Sequence, residues 1–268
     1  MTQPIYSLGK KKARFVESDK FFATYRNPTS AGTLDIPSVF GHGNTFTDWG
    51  MNGNDLWGDC VWAGGGHETE LINNLADGGK VGVEPIVITA DNSLSDYAAS
   101  TGFNINAGPS GNNPTDQGTD VHDALNYRQT TGLVDSVGNR HKIAAYVALE
   151  VGNYQHLLEA AWIFDFVGIG INFPESAMTQ FNNGQPWSVV PGATISGGHY
   201  IPIVGVPTPG MLAIVTWGKR QLMTEGFFKK YCDEAYAMIT LDSLNSKTNE
   251  NYGGFNWTQL QADLKIVS

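Results

Sequence analysis

The hydrophobic pattern divides the chain into a helical first half and a sheet-rich second half. From Cys60 to about Asn74, the residues Val61, Ala63, His67, Leu71 and Leu75 return to one side of a 3.6-residue period, which predicts a helix. Ser95 to Ser100 predicts a short helix. Asp120 to Thr131 predicts another, opened by an aspartate cap and closed by Gly132. In the second half Lys142 to Val151 alternates as a strand does, and Tyr154 to Phe164 has the period of an amphipathic helix. Phe166 to Ile171, Tyr200 to Val206 and Met211 to Thr216 predict strands, the last two joined by a turn at Pro207-Thr208-Pro209-Gly210. Met223 to Ala235 reads as a helix, Tyr236 to Leu241 as a strand and Trp257 to Leu264 as a terminal helix. Residues 1 to 50 lack a helical period and read as an extended arm and loops. The Gly/Asn/Pro/Ser-rich stretch Thr101 to Gly118 is long for a connector and reads as a functional loop or lid. No internal repeat is present.

Composition narrows the class of protein. The 268 residues are 41% hydrophobic and 16% charged, with 32 glycines, which fits a turn-rich globular chain able to bury one large core. A formal charge of −10 argues against nucleic acid as a partner, since phosphate binding needs basic stripes. The cluster Lys10-Lys11-Lys12-Ala13-Arg14 reads as a solvated arm. The longest apolar run, Ala160 to Ile171, is interrupted by Asp165 and too short to span a bilayer, so no membrane partner is expected. The start Met-Thr-Gln-Pro lacks the pattern of a secretory signal. Two cysteines, Cys60 and Cys232, make no disulfide framework and suit a reducing compartment. No metal or other cofactor is expected: Gly66-His67-Glu68-Thr69-Glu70 lacks the second histidine of a helical zinc motif.

The candidate chemistry centres on Gly53-Asn54-Asp55-Leu56-Trp57-Gly58-Asp59-Cys60, a polar turn that delivers a cysteine to a helix start. Unpaired N–H groups there favour a thiolate, the nucleophilic form. A nucleophilic thiol needs a base within hydrogen-bond reach. His199 is the best placed, because Gly197-Gly198 precede it and leave one face of the ring open at the entry of a strand. His67 lies two turns past Cys60, about 10 Å along the axis, and reads as a packed core residue. His42, His122, His141 and His156 sit in polar or helical surroundings and read as surface or packing residues.

These residues resemble those of the papain-like cysteine peptidases. Asn54 stands six residues before Cys60, where the family has an oxyanion-hole glutamine, and Gly58-Asp59-Cys60 resembles its Gly-Ser-Cys. Asp48-Trp49 resembles the family's Asp-Trp. Leu157 to Ile171 with Phe181 and Gly184 resembles its helix, strand and aromatic-Gly segment; Gly198-His199 before Ile203-Val204-Gly205 resembles its histidine strand; and Trp217-Gly218 resembles its shielding Trp-Gly. The resemblance covers Ile36 to Gly218 and implies an α+β fold, with the helical half carrying Cys60 packed on an antiparallel, barrel-like sheet half. The implied organisation is an arm over residues 1–35 and a papain-like domain over 36–268, divided into a helical half, 36–135, and a sheet-rich half, 136–268.

The resemblance implies a catalytic set of Cys60, His199 and Asn54, with Trp217 as the shield. It places the histidine-orienting asparagine at Val215, which cannot hydrogen-bond, and leaves Thr216 as a substitute only if the strand bulges. It also puts strands where Lys219 to Tyr231 reads as helix. The Gly-Asn-Asp and Val-Thr-Trp-Gly motifs are similar to those of uncharacterised papain-like proteins of bacteriophages and prophages. Two functions follow as expectations. One is a thiol hydrolase acting on a peptide or peptidoglycan-like amide, in the bacterial cytoplasm or a phage virion. The other is a weakly active or inactive virion component that binds phage structural proteins. For the hydrolase we expect the Cys60 sulfur within about 4 Å of a His199 ring nitrogen. We also expect no removable propeptide, since fewer than 60 residues precede Cys60.

Overall fold

The computed structural model describes residues 5–14, 16–17, 19–26, 34–77, 85–240 and 255–265. An antiparallel sheet forms its centre. Its strands are β1 Phe40–Gly41, β4 Ala145–Ala148, β5 Val167–Pro174, β6 Ile195–Thr208, β7 Met211–Thr216, β8 Lys219–Thr224 and β9 Cys232–Ile239. They lie in the order β4-β9-β5-β6-β7-β8, with β1 paired to the outer end of β6. A separate pair joins β2 Leu133–Val134 to β3 Arg140–His141. The helices are α1 Phe22–Tyr25, α2 Cys60–Asp77, α3 Ala90–Thr101, α4 Val121–Thr130, α5 Tyr154–Phe164, α6 Glu175–Asn182, α7 Glu225–Tyr231 and α8 Trp257–Lys265. Among the described residues no helix is long and apolar enough to cross a membrane.

The period-2 alternation of the strands builds two cores, one on each face of the sheet. Val167, Ile169 and Ile171 of β5, Ile201 and Ile203 of β6, and Leu212 and Ile214 of β7 pack with α5 and α7. The alternate residues Tyr200, Val204, Ala213, Val215, Tyr236 and Met238 pack with Cys60, Val61 and Trp62 of α2, Tyr97 of α3 and Leu125 of α4. On β5 the alternates to the apolar row are Gly168 and Gly170, so side chains from elsewhere enter on that face. A Cβ on Gly168 would sit 1.8 Å from the Tyr200 hydroxyl. Tyr200 in turn donates to Glu68 Oε1 at 2.8 Å, and Glu68 Oε2 meets Arg128 at 2.5 Å, which ties α2, α4 and β6 together in the interior.

Several helix ends are set by local polar caps. Asp120 caps α4 by accepting from the Asp123 N–H, and Asn153 caps α5 by accepting from the His156 N–H. Thr89 and Asn92 form a reciprocal box at the start of α3. The chain from Lys219 to Tyr231, expected as helix from its good helix formers, begins instead as strand β8 and becomes helix only at Glu225. The reason is the turn before it. Trp217 and Gly218, both at positive φ (44° and 71°), form a two-residue hairpin loop that reverses the chain onto β7. The helix predicted to Ala235 accordingly stops at Tyr231, and β9 starts at Cys232.

Candidate active site

Cys60 is the first residue of α2, and the turn that delivers it is clamped on several sides. Leu56 and Trp57 donate their N–H groups to the Gly53 carbonyl, and the Asn54 amide donates to the Trp57 carbonyl at 2.9 Å. The Asp59 carbonyl accepts the first helical bonds from Trp62 and Ala63. From outside, Asp116 takes the Gly58 N–H on both carboxylate oxygens at 3.1 Å and also accepts from the Tyr97 hydroxyl at 2.7 Å. The Thr101 to Gly118 segment therefore buttresses the cysteine turn, with the Trp57 ring edge-on to Phe103.

His199 lies on β6 beside β7 and is 1% exposed. Its Nε2 is 2.8 Å from Thr216 Oγ1, its Nδ1 is buried without a hydrogen-bond partner, and its ring is stacked under Trp217 at 4.6 Å and 18°. Phe173 and Trp187 meet the imidazole edge-on. Trp217 occupies a left-handed backbone conformation that costs a non-glycine residue of order 1 kcal/mol, and the hairpin loop uses it to lay the indole over the imidazole.

The register explains why Thr216, and not Val215, meets the histidine. Between Gly205↔Ala213 and Ile203↔Ile214 the β6–β7 pairing shifts by one residue. Beyond that irregularity the face shared by Ile201, Ile203 and His199 is shared by Ile214 and Thr216, whereas Val215 turns to the α2 side and packs in the other core. The spacing argument that put the orienting position at Val215 fails for this reason. The irregularity lies on β6, since β7 pairs with β8 without a break.

The expected hydrogen bond between the Cys60 thiol and the His199 ring is not formed, since Nε2 bonds Thr216 and Nδ1 has no hydrogen-bond partner. Burial pushes the thiol up to about 12, while the backbone amides of Tyr200 and Gly9 act in the opposite direction. Burial also holds the His199 imidazole down, at about 3. Both groups are therefore neutral in this dry arrangement. Asp59, fully buried next to the cysteine, is held well above the usual carboxylate range by desolvation.

The Gly9 amide belongs to the N-terminal arm, which runs through the cleft between the two halves. Lys10 N donates to the Gly198 carbonyl at 3.0 Å, Lys11 N to the Thr119 carbonyl at 2.9 Å, and Thr119 N to the Gly9 carbonyl at 2.7 Å. The Ser7 carbonyl accepts from Asn54 Nδ2 and from Trp217 Nε1, both at 3.4 Å, and Tyr6 stacks on Trp217 at 5.1 Å. Lys10 is not part of a solvated run: it is 5% exposed, with Nζ at 3.0 Å from Asp233 and 2.9 Å from Glu234. Two carboxylates at the start of β9 replace the water its ammonium gives up.

The other histidines are held elsewhere. His67 is buried against Trp49 and bonds the Gly50 carbonyl at 3.0 Å, with desolvation holding it at about 4. His42, His122 and His141 sit beside Asp165, Asp19 and Asp135, and His156 packs against Phe22. Cys232 is buried and directs its thiol to the Glu234 carbonyl. Among the described residues no three His, Cys, Asp or Glu side chains gather as metal ligands. Sequence reasoning passed over Asp116, Thr119, Asp233 and Glu234; the β9 acids carried a signal, as an adjacent acidic pair inside an otherwise apolar strand.

This architecture is the papain-like cysteine protease fold. It is similar to the structure of xylellain, a cysteine protease from Xylella fastidiosa, with a TM-score of 0.65 and 13% identity over 90% of this chain and 98% of that one. It is also similar to the Carica candamarcensis cysteine protease CMS1MS2 in complex with E-64 (TM-score 0.53, 14% identity, 76% of this chain and 99% of that one). A third similar structure is digestive procathepsin L 3 of the Tenebrio molitor larval midgut (0.55, 13%, 82% and 76%). No family model and no curated protein matches the sequence.

Proposed function

We propose that the chain is a thiol hydrolase that cleaves amide bonds in peptides, with Cys60 as nucleophile and His199 as general base. The observation that carries this reading is the seating of His199. Its Nε2 is committed to Thr216 and its ring is fixed under Trp217, which leaves Nδ1 without a partner, and the backbone amide of the next residue, Tyr200, acts on the Cys60 thiol. In this mechanism Nδ1 takes the thiol proton and the sulfur attacks the amide carbonyl carbon. Asn54 Nδ2 and the Cys60 backbone N–H stabilise the oxyanion, and the imidazolium returns the proton to the departing amine. His199 then deprotonates water, which cleaves the thioester and frees Cys60. Thr216 is a positioning residue that fixes the ring and its tautomer.

The arm must leave before a substrate can enter, since Gly9 lies against the sulfur and Ser7 against Asn54. The setting proposed from the sequence motifs, a phage or prophage product acting on a peptide or peptidoglycan cross-link, stays part of this proposal. To test the pair, Cys60 alkylation by iodoacetamide at pH 7 is measured in full-length Lys10→Ala, where the arm is loosened, with Cys232 as internal reference. Cys60 should react faster than in the parent chain, and adding His199→Ala should slow it about tenfold or more. An unchanged rate on losing His199 would mean that no proton passes between the two side chains, and a non-catalytic virion or binding role would be the better reading.

A further inference from the structure

One guanidinium in the interior keeps an edge without an acceptor. Arg128 spends Nη1 on Glu68 at 2.5 Å, while its Nε and Nη2 are buried and meet no hydrogen-bond partner among the described residues. These two N–H groups form one edge of the planar group, a fork whose spacing matches the two oxygens of a carboxylate. The chain itself shows the fit: Arg26 uses its own Nε and Nη2 to hold both oxygens of Glu159, at 2.5 and 2.7 Å. At Arg128 the fork is built and the described residues supply nothing to fill it, a costly arrangement for a side chain only 3% exposed.

Arg128 lines a groove of about 380 Å³, a size that takes a small organic molecule. Arg140, His141 and Lys142 stand around it with the apolar Ile72 and Ile143, and among the described residues no aspartate or glutamate lines it. Gly132 sets that rim: a Cβ there would lie 2.9 Å from the His141 carbonyl and from Lys142 Cγ, and its own carbonyl accepts from Arg140 Nη1 at 2.8 Å. Ile143 N donates to the Arg128 carbonyl at 3.3 Å, which ties the rim to α4. Arg140 and His141 are already paired, with Asp96 at 2.5 Å and Asp135 at 2.9 Å, whereas Lys142 is exposed and has no ion pair among the described residues. A basic rim on a chain of net charge −10 concentrates anions locally. The fork is closed to bulk water, so an anion reaches it by moving aside the flexible end of a rim side chain, and Arg140 and Lys142 are both long and exposed.

We propose that this groove binds a small carboxylate with a short apolar body. Its two oxygens accept from Arg128 Nε and Nη2, Lys142 closes over the charge, and Ile72 and Ile143 receive the carbons. Neither Cys60 nor His199 lines the groove, so the site stands whether or not the chain is a hydrolase.

The test is a ligand-observed NMR titration of the full-length protein with isovalerate and with the peptide acid acetyl-Ala-Val, each beside its uncharged amide, and with inorganic phosphate. At least one of the two acids should bind with a Kd of about 1 mM or below, and the tighter one names the source of the carboxylate, a free acid or a peptide C-terminus. Its amide should bind about tenfold or more weaker, and so should phosphate, whose tetrahedral oxygens do not match the planar fork. Lys142→Glu, which reverses the rim charge, and Asn73→Trp, which fills the groove from α2, should each weaken the acid about tenfold. Arg128→Met should abolish binding; should that variant fail to fold, the Lys142 and Asn73 variants carry the test alone. Binding of neither acid, equal binding of acid and amide, phosphate binding tighter than either acid, or an affinity indifferent to Lys142→Glu and Asn73→Trp would overturn the proposal.

Discussion

Two buried ion pairs lie on the same side of the sheet and differ in who supplies the cation. In the first, Glu68 of α2 is held by Arg128 of α4 and by Tyr200 of β6, with carboxylate and guanidinium side chains 0% and 3% exposed. In the second, Asp233 and Glu234 of β9 are held by Lys10, whose backbone is fastened to the domain by a few main-chain hydrogen bonds. Burying charges contributes little net stability, yet breaking a buried pair is costly because an uncompensated charge is left behind. The same chemistry therefore does two jobs. Around Glu68 it is a permanent rivet behind Tyr200, whose backbone amide faces the Cys60 sulfur. Around Glu234 the cation comes from the arm, and under the proposed function, in which the arm leaves to admit substrate, the pair is a latch.

The comparison is broken most severely at the rivet. Arg128→Met should lower stability to urea by about 3–5 kcal/mol, because Glu68 is left buried with only the Tyr200 hydroxyl. A loss below about 1 kcal/mol would mean that the pair carries no strain on removal and would dissolve the distinction. Acidification should come next. His199 and His67 are held at about 3 and about 4 against an ordinary 6.5, so the unfolded chain takes up protons at a higher pH than the folded one. The stability they contribute is complete above pH 6.5 and is lost as the pH falls through the folded values. Glu70, raised to about 7 by burial, acts in the opposite sense over the same range, so the readout is the difference between chains: urea midpoints measured between pH 7 and pH 4 should fall more steeply in the parent chain than in His67→Phe, and identical slopes would show that His67 is not buried neutral.

At the latch, Lys10→Met should cost well below the about 3–5 kcal/mol of a broken buried pair, since a lifted arm returns Asp233 and Glu234 to water, and its main effect should be faster alkylation of Cys60. If Lys10→Met destabilised the chain as much as Arg128→Met, the arm would be part of the core and not a detachable strap. The mildest test is Thr216→Val, which keeps the shape and removes the hydroxyl. It should cost about 1 kcal/mol of stability and, once a substrate is in hand, lower kcat more than it changes KM.

Much of the element pattern was legible because its signals are local. Tyr154 to Phe164 and Met211 to Thr216 announce their periods without help from the rest of the chain, and the structure gives them those bounds. Lys219 to Thr224 was misread because Lys, Arg, Gln, Leu and Met favour helices, while the alternation of buried Gln221 and Met223 is set by pairing to β7. Spacing alone put the orienting position at Val215 and left Thr216 as its substitute only if the strand bulged; the one-residue irregularity between Ile203 and Gly205 meets that condition and exchanges the faces of Val215 and Thr216, which no local pattern marks. Lys10 escaped because a charge run carries no mark of the two acids 223 and 224 positions later that make one of its members a core residue. Cys60 and His199 could be singled out from their glycine-rich surroundings, but the arm across their cleft is a product of tertiary docking alone.

The place of β9 in the sheet has a consequence for how the chain is made. During synthesis the arm emerges first, whereas β9, which brings Asp233 and Glu234, emerges more than 200 residues later and must insert between β4 and β5. Domains are completed only as their distant segments become available, and contacts of such long separation form late. On the ribosome the lysine must therefore wait in water while α2 and its cysteine are already out of the tunnel. Insertion of β9 completes the described sheet and creates the seat for Lys10 in one event, so until then the arm has only its contacts with earlier segments, at Asn54, Thr119, Gly198 and Trp217, to hold it over the cysteine.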